Sequence, residues 1–356
     1  MINTSALSPL FWRDKQVLLT GHSGFKGSWL ALWLHRLGAK VHGISLEPVT
    51  SPNLFNLARV NDICQSHFCD IRDKVALKKI VKEFNPEIVF HLAAQSLVRR
   101  GYHDPLVTFE TNVMGSANLL DVLREIDSLR AIVMVTTDKV YHDNKSNWPY
   151  REDDVLGGPD PYGASKAASE IVIASYRDSF FSSQDIAVAT ARAGNVIGGG
   201  DWSEDRLIPD LVKAWQTEQP LIIRNPQSIR PWQHVVEPLA GYLTLAEKLS
   251  KEPALAGAYN FGPDTSQVAT VDEVVDLASN IYKFGAKRYQ NTNKNLPEAI
   301  WLGLEITKAK IILGVTPKWN LAQTVSRTMS WYRKQEEGLD ARKLCEEDIA
   351  GYEALL

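Results

Sequence analysis

Cysteine is scarce in this chain of 356 residues, and the three present (Cys64, Cys69 and Cys345) are an odd number without C-x-x-C or histidine-coupled spacing. That excludes a disulfide framework and leaves reduced thiols, with Cys64 and Cys69 read as small hydrophobes in a core. The eight histidines, His103 and His142 among them, lack metal-ligand spacing, so no metal site is expected. No apolar run approaches the roughly 20 residues that a membrane-spanning helix needs. Residues 1–10 lack the basic start and apolar core of a secretion signal, and the chain reads as cytoplasmic. A charge excess is missing too: a net charge of -3 spread along the chain forms no basic patch for nucleic acid. Repeats and low-complexity linkers are absent.

What is present is a rhythm of short apolar runs and helical patterns. Runs at 17–20, 41–45, 87–93, 131–137 and 186–191 read as strands, separated by helices near 25–37, 73–84, 105–125 and 162–180. That alternation predicts an α/β fold with a Rossmann-type doubly wound parallel sheet. The run 131–137 is apolar until its two threonines, as expected of a central strand covered on both faces, with its polar end where ligands bind in open sheets. Beyond about residue 195 the pattern turns irregular, with helices near 206–218, 236–249, 271–283 and 321–335. The expected division is therefore residues 1–190 as a dinucleotide-binding domain and 191–356 as a smaller mixed α/β substrate-binding domain, with segments that can return to the first.

Two local patterns carry chemistry. The first strand runs into Gly21-x-x-Gly24-x-x-Gly27 and then an amphipathic helix. Such glycines permit a tight turn and close approach of the backbone to a pyrophosphate, whose charge the free N–H groups of the first helical turn attract. The second pattern is Tyr162-x-x-x-Lys166, four residues apart and so on one helix face. An ammonium beside a phenol favours the phenolate, the form that removes a proton from a sugar hydroxyl. Alone the pair is a weak signal, but it follows the glycine-rich turn.

Five patterns occur in the order found in the extended short-chain dehydrogenase/reductase family, and the chain resembles that family over nearly its whole length: Thr20-Gly21-x-x-Gly24-Phe25-x-Gly27, Asp70-Ile71-Arg72-Asp73, His91-Leu92-Ala93-Ala94-Gln95, Thr111-Asn112-x-x-Gly115 and Tyr162-x-x-x-Lys166. Within it the chain is most similar to the nucleotide-sugar 4,6-dehydratases. The segments Thr136-Thr137-Asp138-Lys139-Val140-Tyr141 and Ala191-Arg192-Ala193-Gly194-Asn195-Val196-Ile197-Gly198-Gly199-Gly200-Asp201-Trp202 carry that likeness. Where dTDP-glucose enzymes have an aspartate-glutamate dyad, this chain has Asp138-Lys139, the pair of the CDP-glucose branch.

The resemblance implies bound NAD and a CDP-glucose substrate. Tyr162 takes the C4 hydroxyl proton with Thr136, favoured over Thr137 by the family register, as its hydrogen-bond partner. Lys139 removes the C5 proton, Asp138 protonates the departing C6 hydroxyl, and the hydride taken from C4 returns to C6. For Lys139 to act as a base it must be neutral, which burial and the Lys166 charge would favour. The cofactor residues so implied are Gly21, His22, Ser23, Gly24, Phe25, Lys26, Gly27, Asp70, Ile71, Leu92, Ala93, Ala94, Gln95, Tyr162 and Lys166. Glu47 lies late for the ribose contact, and no arginine sits beside it for a 2′-phosphate, which favours NAD over NADP. Substrate contacts fall on Arg192, Asn195, Arg206, Arg224, Arg230 and His234, since arginine forks suit a diphosphate. The family also implies a homodimer or tetramer through the helices at 105–125 and 162–180, and products that feed deoxyhexoses of bacterial surface polysaccharides. Two other readings use the same scaffold. A nucleotide-sugar 4-epimerase needs the tyrosine and lysine without the dyad, and a nucleotide-sugar sensor needs neither.

Overall fold

Seven short, largely apolar segments pair side by side in one parallel sheet: β1 (Gln16–Thr20), β2 (Lys40–Ser45), β3 (Gln65–Phe68), β4 (Ile88–His91), β5 (Ala131–Val135), β6 (Ala187–Ala193) and β7 (Gly257–Phe261). The computed structural model describes residues 7–143, 145, 148–223, 225–282, 287–289 and 301–356. The strand order is β7-β6-β5-β4-β1-β2-β3. Every residue of β4, β5 and β6 is buried, and their sequences are correspondingly apolar except for His91, Thr190 and Arg192. The edges gave no such signal. β3 is short and polar (QSHF), and β7 comes from the second half of the chain to pair with β6.

Chain order reverses between β1 and β4, where Thr20 lies in register with His91. A crevice opens at such a reversal, outside the carboxyl ends of the strands. Its floor is the glycine-rich turn. Gly21 has φ +78°, and a Cβ there would come 2.7 Å from the Ala93 nitrogen. A Cβ on Gly27 would fall 2.0 Å from the Gly21 carbonyl oxygen, so backbone meets backbone with no side chain to yield. Helix α1 (Phe25–Arg36) then starts at Gly24 with no side-chain cap, leaving its first-turn N–H groups to the crevice.

Helix α2 (Lys74–Phe84) is capped by Asp73. A short helix, Val98–His103, precedes the helix expected over 105–125, which runs as Pro105–Phe109, a π turn at Glu110–Met114 and α3 (Gly115–Leu123). The wide turn turns Asn112 inward, where it donates to the Gln95 carbonyl (3.0 Å) and to Ser165 Oγ (2.8 Å). Helix α4 (Pro161–Tyr176) has proline at its first position and Asp160 as cap, accepting from the Tyr162 and Gly163 nitrogens at 2.9 and 3.1 Å. Its α-helical turns end at Tyr176, and a second π turn, Arg177–Phe181, carries it to the expected end near residue 180. The second half supplies α5 (Leu207–Gln216), α6 (Val236–Lys251), α7 (Val271–Tyr282), α8 (Leu321–Glu336, with an Asn320/Gln323 capping box) and α9 (Ala341–Glu353), which the pattern had not indicated. Among the described residues no helix is long and apolar enough to cross a membrane.

One ionic pair ties α4 to the sheet. Arg192 on β6 donates from Nε and Nη2 to the two oxygens of Glu170 at 2.9 Å each, and from Nη1 to Tyr141 Oη and the Glu152 carbonyl, also at 2.9 Å. Both side chains are 4% exposed. Taking away one partner strands the other charge in the core, at a cost of about 3–5 kcal/mol. The variant Arg192→Met should therefore lower the thermal midpoint by at least about 6 °C, and the pair Glu170→Met/Arg192→Met by less than Arg192→Met alone. A melting series by circular dichroism checks the order; a double variant less stable than both singles would contradict it.

Candidate active site

The crevice widens into a cavity of about 750 Å³ that reaches from the glycine-rich turn, past the ends of β4 and β5, to the loops after β6. Of the residues expected to hold a dinucleotide, Gly21, Ser23, Gly24, Phe25, Lys26, Gly27, Asp70, Ile71, Leu92, Ala93, Ala94 and Gln95 line it, and so does Glu47. The uncapped α1 N-terminus and the clash-limited glycines fit a pyrophosphate. His22 does not fit its expected role. Its side chain is 0% exposed and packs on Phe55 and Phe68 under Gly43, and burial pushes its pKa down to about 4.

Thr136, Asp138, Lys139, Tyr162 and Lys166 line the same cavity. The turn Asp138–Val140 follows β5 directly, and Tyr162 and Lys166 lie one helical turn apart on α4. The expected threonine is the wrong one of the two. Thr136 turns its hydroxyl away to donate to Glu170 Oε1, and Thr137 is the threonine whose side chain acts on Tyr162, pulling its pKa down. Successive residues at a strand end face opposite ways, so only one of the pair can meet the tyrosine. Thr137 also donates to Asp138 Oδ1 (3.1 Å), and Lys139 Nζ reaches the same oxygen at 3.3 Å. Asp138 is 1% exposed and Lys139 31%.

Burial dominates the electrostatics. It pushes the Tyr162 phenol up to about 12, with the Thr137 side chain and the Arg206 charge pulling down and Asp138 and Asp160 pushing up. The same cause pushes Lys166 down to about 8, opposed by Glu170. Lys166 Nζ donates to the Val135 carbonyl at 3.0 Å. Lys26 is pushed down to about 7 by burial, then by the charges of Arg206 and Lys166, against Asp138 and Asp201.

At the substrate end Asn195, Arg206 and Arg230 line the cavity. Two expected contacts do not reach it. Arg192 is committed to Glu170 beneath the strands, and His234 is 0% exposed between Trp29 and Trp319, with its pKa pushed down to about 3 by burial. Both lie on segments that pass through the core before reaching the crevice. Arg224 lies outside the described residues. Two residues escaped the sequence reading, and a third, Thr137, was its second choice. Asp201 pairs with Arg206 at 3.0 Å, Arg72 grips Asp70 at 2.7 Å, and Thr137 meets the tyrosine. Of these, the alternation of β5 was a signal for Thr137, and the Asp70-x-Arg72 spacing for Arg72.

Set against known proteins, residues 18–328 match the family model described as GDP-mannose 4,6 dehydratase. The chain is 43% identical over 348 residues to a CDP-glucose 4,6-dehydratase of Salmonella typhimurium, covering 96% of this chain and 97% of the relative. It is 28% identical over 282 residues to a UDP-glucose 4-epimerase of Mycoplasma pneumoniae, covering 75% and 82%. Among solved structures it shares its fold with a dTDP-glucose 4,6-dehydratase, DesIV of Streptomyces venezuelae, with a TM-score of 0.78 at 24% identity over 92% of this chain and 99% of that one. An epimerase of Methanothermobacter thermautotrophicus, Mth375, has a TM-score of 0.81 at 22% identity over 94% and 97%. The epimerase and dehydratase neighbours share one architecture, so the overall fold does not separate the two reactions. The match across most of the chain and the near full-length relative do decide the family: the chain belongs to the GDP-mannose 4,6-dehydratase family.

Proposed function

We propose that the chain is an NAD-dependent CDP-glucose 4,6-dehydratase, converting CDP-glucose to CDP-4-dehydro-6-deoxyglucose and water. The observation that carries this reading is the Asp138–Lys139 contact of 3.3 Å beside the Tyr162–Thr137 pair in one cavity. It is supported by 43% identity to a relative of that name over almost both lengths. A 4-epimerase has to move only the C4 hydroxyl proton and C4 hydrogen. A 4,6-dehydratase needs in addition a base for C5 and an acid for the C6 hydroxyl.

The glycine-rich turn, Lys26, Asp70 and Ala93–Gln95 would hold NAD, which supplies an acceptor that takes a hydride from C4 and gives it back at C6. The chain's own groups move the protons. Tyr162 accepts the C4 hydroxyl proton, with Thr137 as the threonine that acts on it and Lys166 as the neighbouring charge. The ion pair Asp138/Lys139 differs from a neutral acid and amine by one proton moved across their contact, and the neutral pair offers both the base for C5 and the acid for C6. Arg206 and Arg230 would take the diphosphate, with Asp201 orienting the first at 3.0 Å. Leu106, Met114 and Ile171 are 76%, 55% and 63% exposed on the segments expected to pair between subunits, which supports a homodimer whose second copy covers them.

Incubation with CDP-glucose should give a product lighter by one water, and the same sample with UDP-glucose or dTDP-glucose much less of it, as read by mass spectrometry. Unchanged mass with an inverted C4 would move the assignment to an epimerase. In heavy water, Lys139→Ala should lose C5 hydrogen exchange by about 10²-fold or more while still binding substrate; wild-type exchange would remove Lys139 as the base.

The lowered lysines set a pH dependence. Lys26 near 7 and Lys166 near 8 are partly neutral at pH 8, and an anionic pyrophosphate favours their charged forms. NAD binding should therefore take up protons and weaken as pH rises through 7 to 9. Titration calorimetry in two buffers of different ionisation enthalpy reads the uptake, and proton release on binding would contradict it.

A further inference from the structure

The carboxyl assigned to C6 is bonded through one oxygen only. Asp138 Oδ1 accepts from the Thr137 hydroxyl at 3.1 Å and lies 3.3 Å from Lys139 Nζ. Oδ2 is buried and, among the described residues, has no hydrogen-bond partner. A buried carboxylate oxygen left unpaired costs stability, so its place calls for an explanation. What stands beside it is Gly194. A Cβ on that glycine would lie 3.0 Å from Oδ2, 2.5 Å from Pro231 Cγ and 3.3 Å from the Pro231 carbonyl oxygen. We propose that Gly194 is a positioning residue for the Asp138–Lys139 pair: the side chain it lacks leaves Oδ2 its place, and so keeps Oδ1 turned to the lysine. The inference rests on the dehydratase reading.

The sheet register brings the two residues together. β5 and β6 pair from Ala131 with Ala187 to Val135 with Ala191, and the Thr136 nitrogen still donates to the Ala191 carbonyl at 3.0 Å. Three residues further along each segment stand Asp138 and Gly194. Neighbouring strands run only about 4.8 Å apart, so a side chain that leans across from one is best met by a glycine on the other. Both residues also line the cavity.

A methyl group at 194 would find two neighbours that yield differently. Pro231 is a ring closed on its own backbone, whereas the Asp138 carboxyl ends a short side chain that turns about two single bonds. The carboxyl therefore gives way more cheaply, and the loss falls on geometry more than on stability. At 3.3 Å the Lys139 contact is already at the long end for an N–H···O bond, so a small displacement decides whether a proton can cross it. Oxidation at C4 uses neither Asp138 nor Lys139. Elimination across C5 and C6 uses both.

The test separates those two halves. Enzyme loaded with NAD is mixed with CDP-glucose; the near-ultraviolet absorbance of the reduced nicotinamide reports C4 oxidation, and mass spectrometry reports loss of water. In Gly194→Ala the cofactor should be reduced at close to the wild-type rate and then stay reduced, with loss of water slowed about tenfold or more. Asp138→Ala empties the space beside residue 194, so adding Gly194→Ala to it should slow water loss by less than about a further twofold. Pro231→Ala guards against a folding defect. It takes away the 2.5 Å clash and leaves the methyl group facing the carboxyl, so Gly194→Ala in that background should show the same arrest relative to Pro231→Ala alone. Equal losses of cofactor reduction and of water release would overturn the assignment, as would a full additional loss on top of Asp138→Ala. Gly194→Ala harmless in the Pro231→Ala background would overturn it too, because the proline would then be all that the methyl group disturbs. A wild-type chain that releases no water from CDP-glucose would sink the dehydratase reading and this inference with it; a dehydrating wild type beside an indifferent Gly194→Ala sinks the positioning role alone.

Discussion

The Glu170–Arg192 pair, sealed beneath the ends of β5 and β6, is the constraint on which the geometry above it rests. Its carboxylate is claimed three times: by Arg192 Nε and Nη2 at 2.9 Å each, and by the hydroxyl of Thr136. Because Thr136 is held downward, Thr137 must face the cavity, and the Asp138–Val140 turn follows from there. A buried ion pair is weak evidence for net stability, since hydrophobic replacements often do as well. What it gives here is direction. An apolar side chain would fill the volume without selecting which of two adjacent threonines meets the tyrosine.

Above that layer, one physical cause acts in opposite senses on the groups facing the cavity. Burial disfavours charge, so it raises the tyrosine and lowers the two lysines: Tyr162 to about 12, Lys166 to about 8 and Lys26 to about 7. Lys26 is also repelled by Arg206 and Lys166 around a space whose carboxylates, Asp138 and Asp201, are each already bonded to a cation. Such an arrangement is completed by anions brought from outside. A dinucleotide and a sugar diphosphate both carry them, and in a water-poor cleft their charge counts for more than at a surface.

The sheet and its crevice were legible because buried parallel strands announce themselves. β5 is apolar throughout and β4 and β6 are largely so and buried at every residue, and the glycine spacing at 21, 24 and 27 is demanded by contacts as short as 2.0 Å. β3 and β7 were not legible. An edge strand is covered less, so QSHF carries no apolar run, and the pairing of β7 with β6 joins segments far apart in the chain. The errors in the site share a cause. Arg192, His234 and His22 sit on the right segments, but one-dimensional order does not say which side of a segment faces ligand and which faces core. Thr136 and Thr137 are the sharpest case, adjacent and chemically identical, and decided only by Glu170 one turn beyond Lys166 on α4.

That last contact explains why the tyrosine-lysine spacing alone is a weak signal and yet effective here. Four positions along one face of α4 do four different jobs: Tyr162 meets Thr137, Ser165 accepts from Asn112 at 2.8 Å, Lys166 donates to the Val135 carbonyl at 3.0 Å, and Glu170 binds Thr136 and Arg192. Two of these bonds tie the helix to the end of β5, one to its last carbonyl and one to the hydroxyl that follows. Helix and strand are thereby fixed against each other at two adjacent residues, close to the positioning that proton transfer over hydrogen-bond distances requires. A helix carrying only Tyr162 and Lys166 would present the same two side chains, but with the Lys166 bond alone to set their height against the strand that bears Thr137, Asp138 and Lys139.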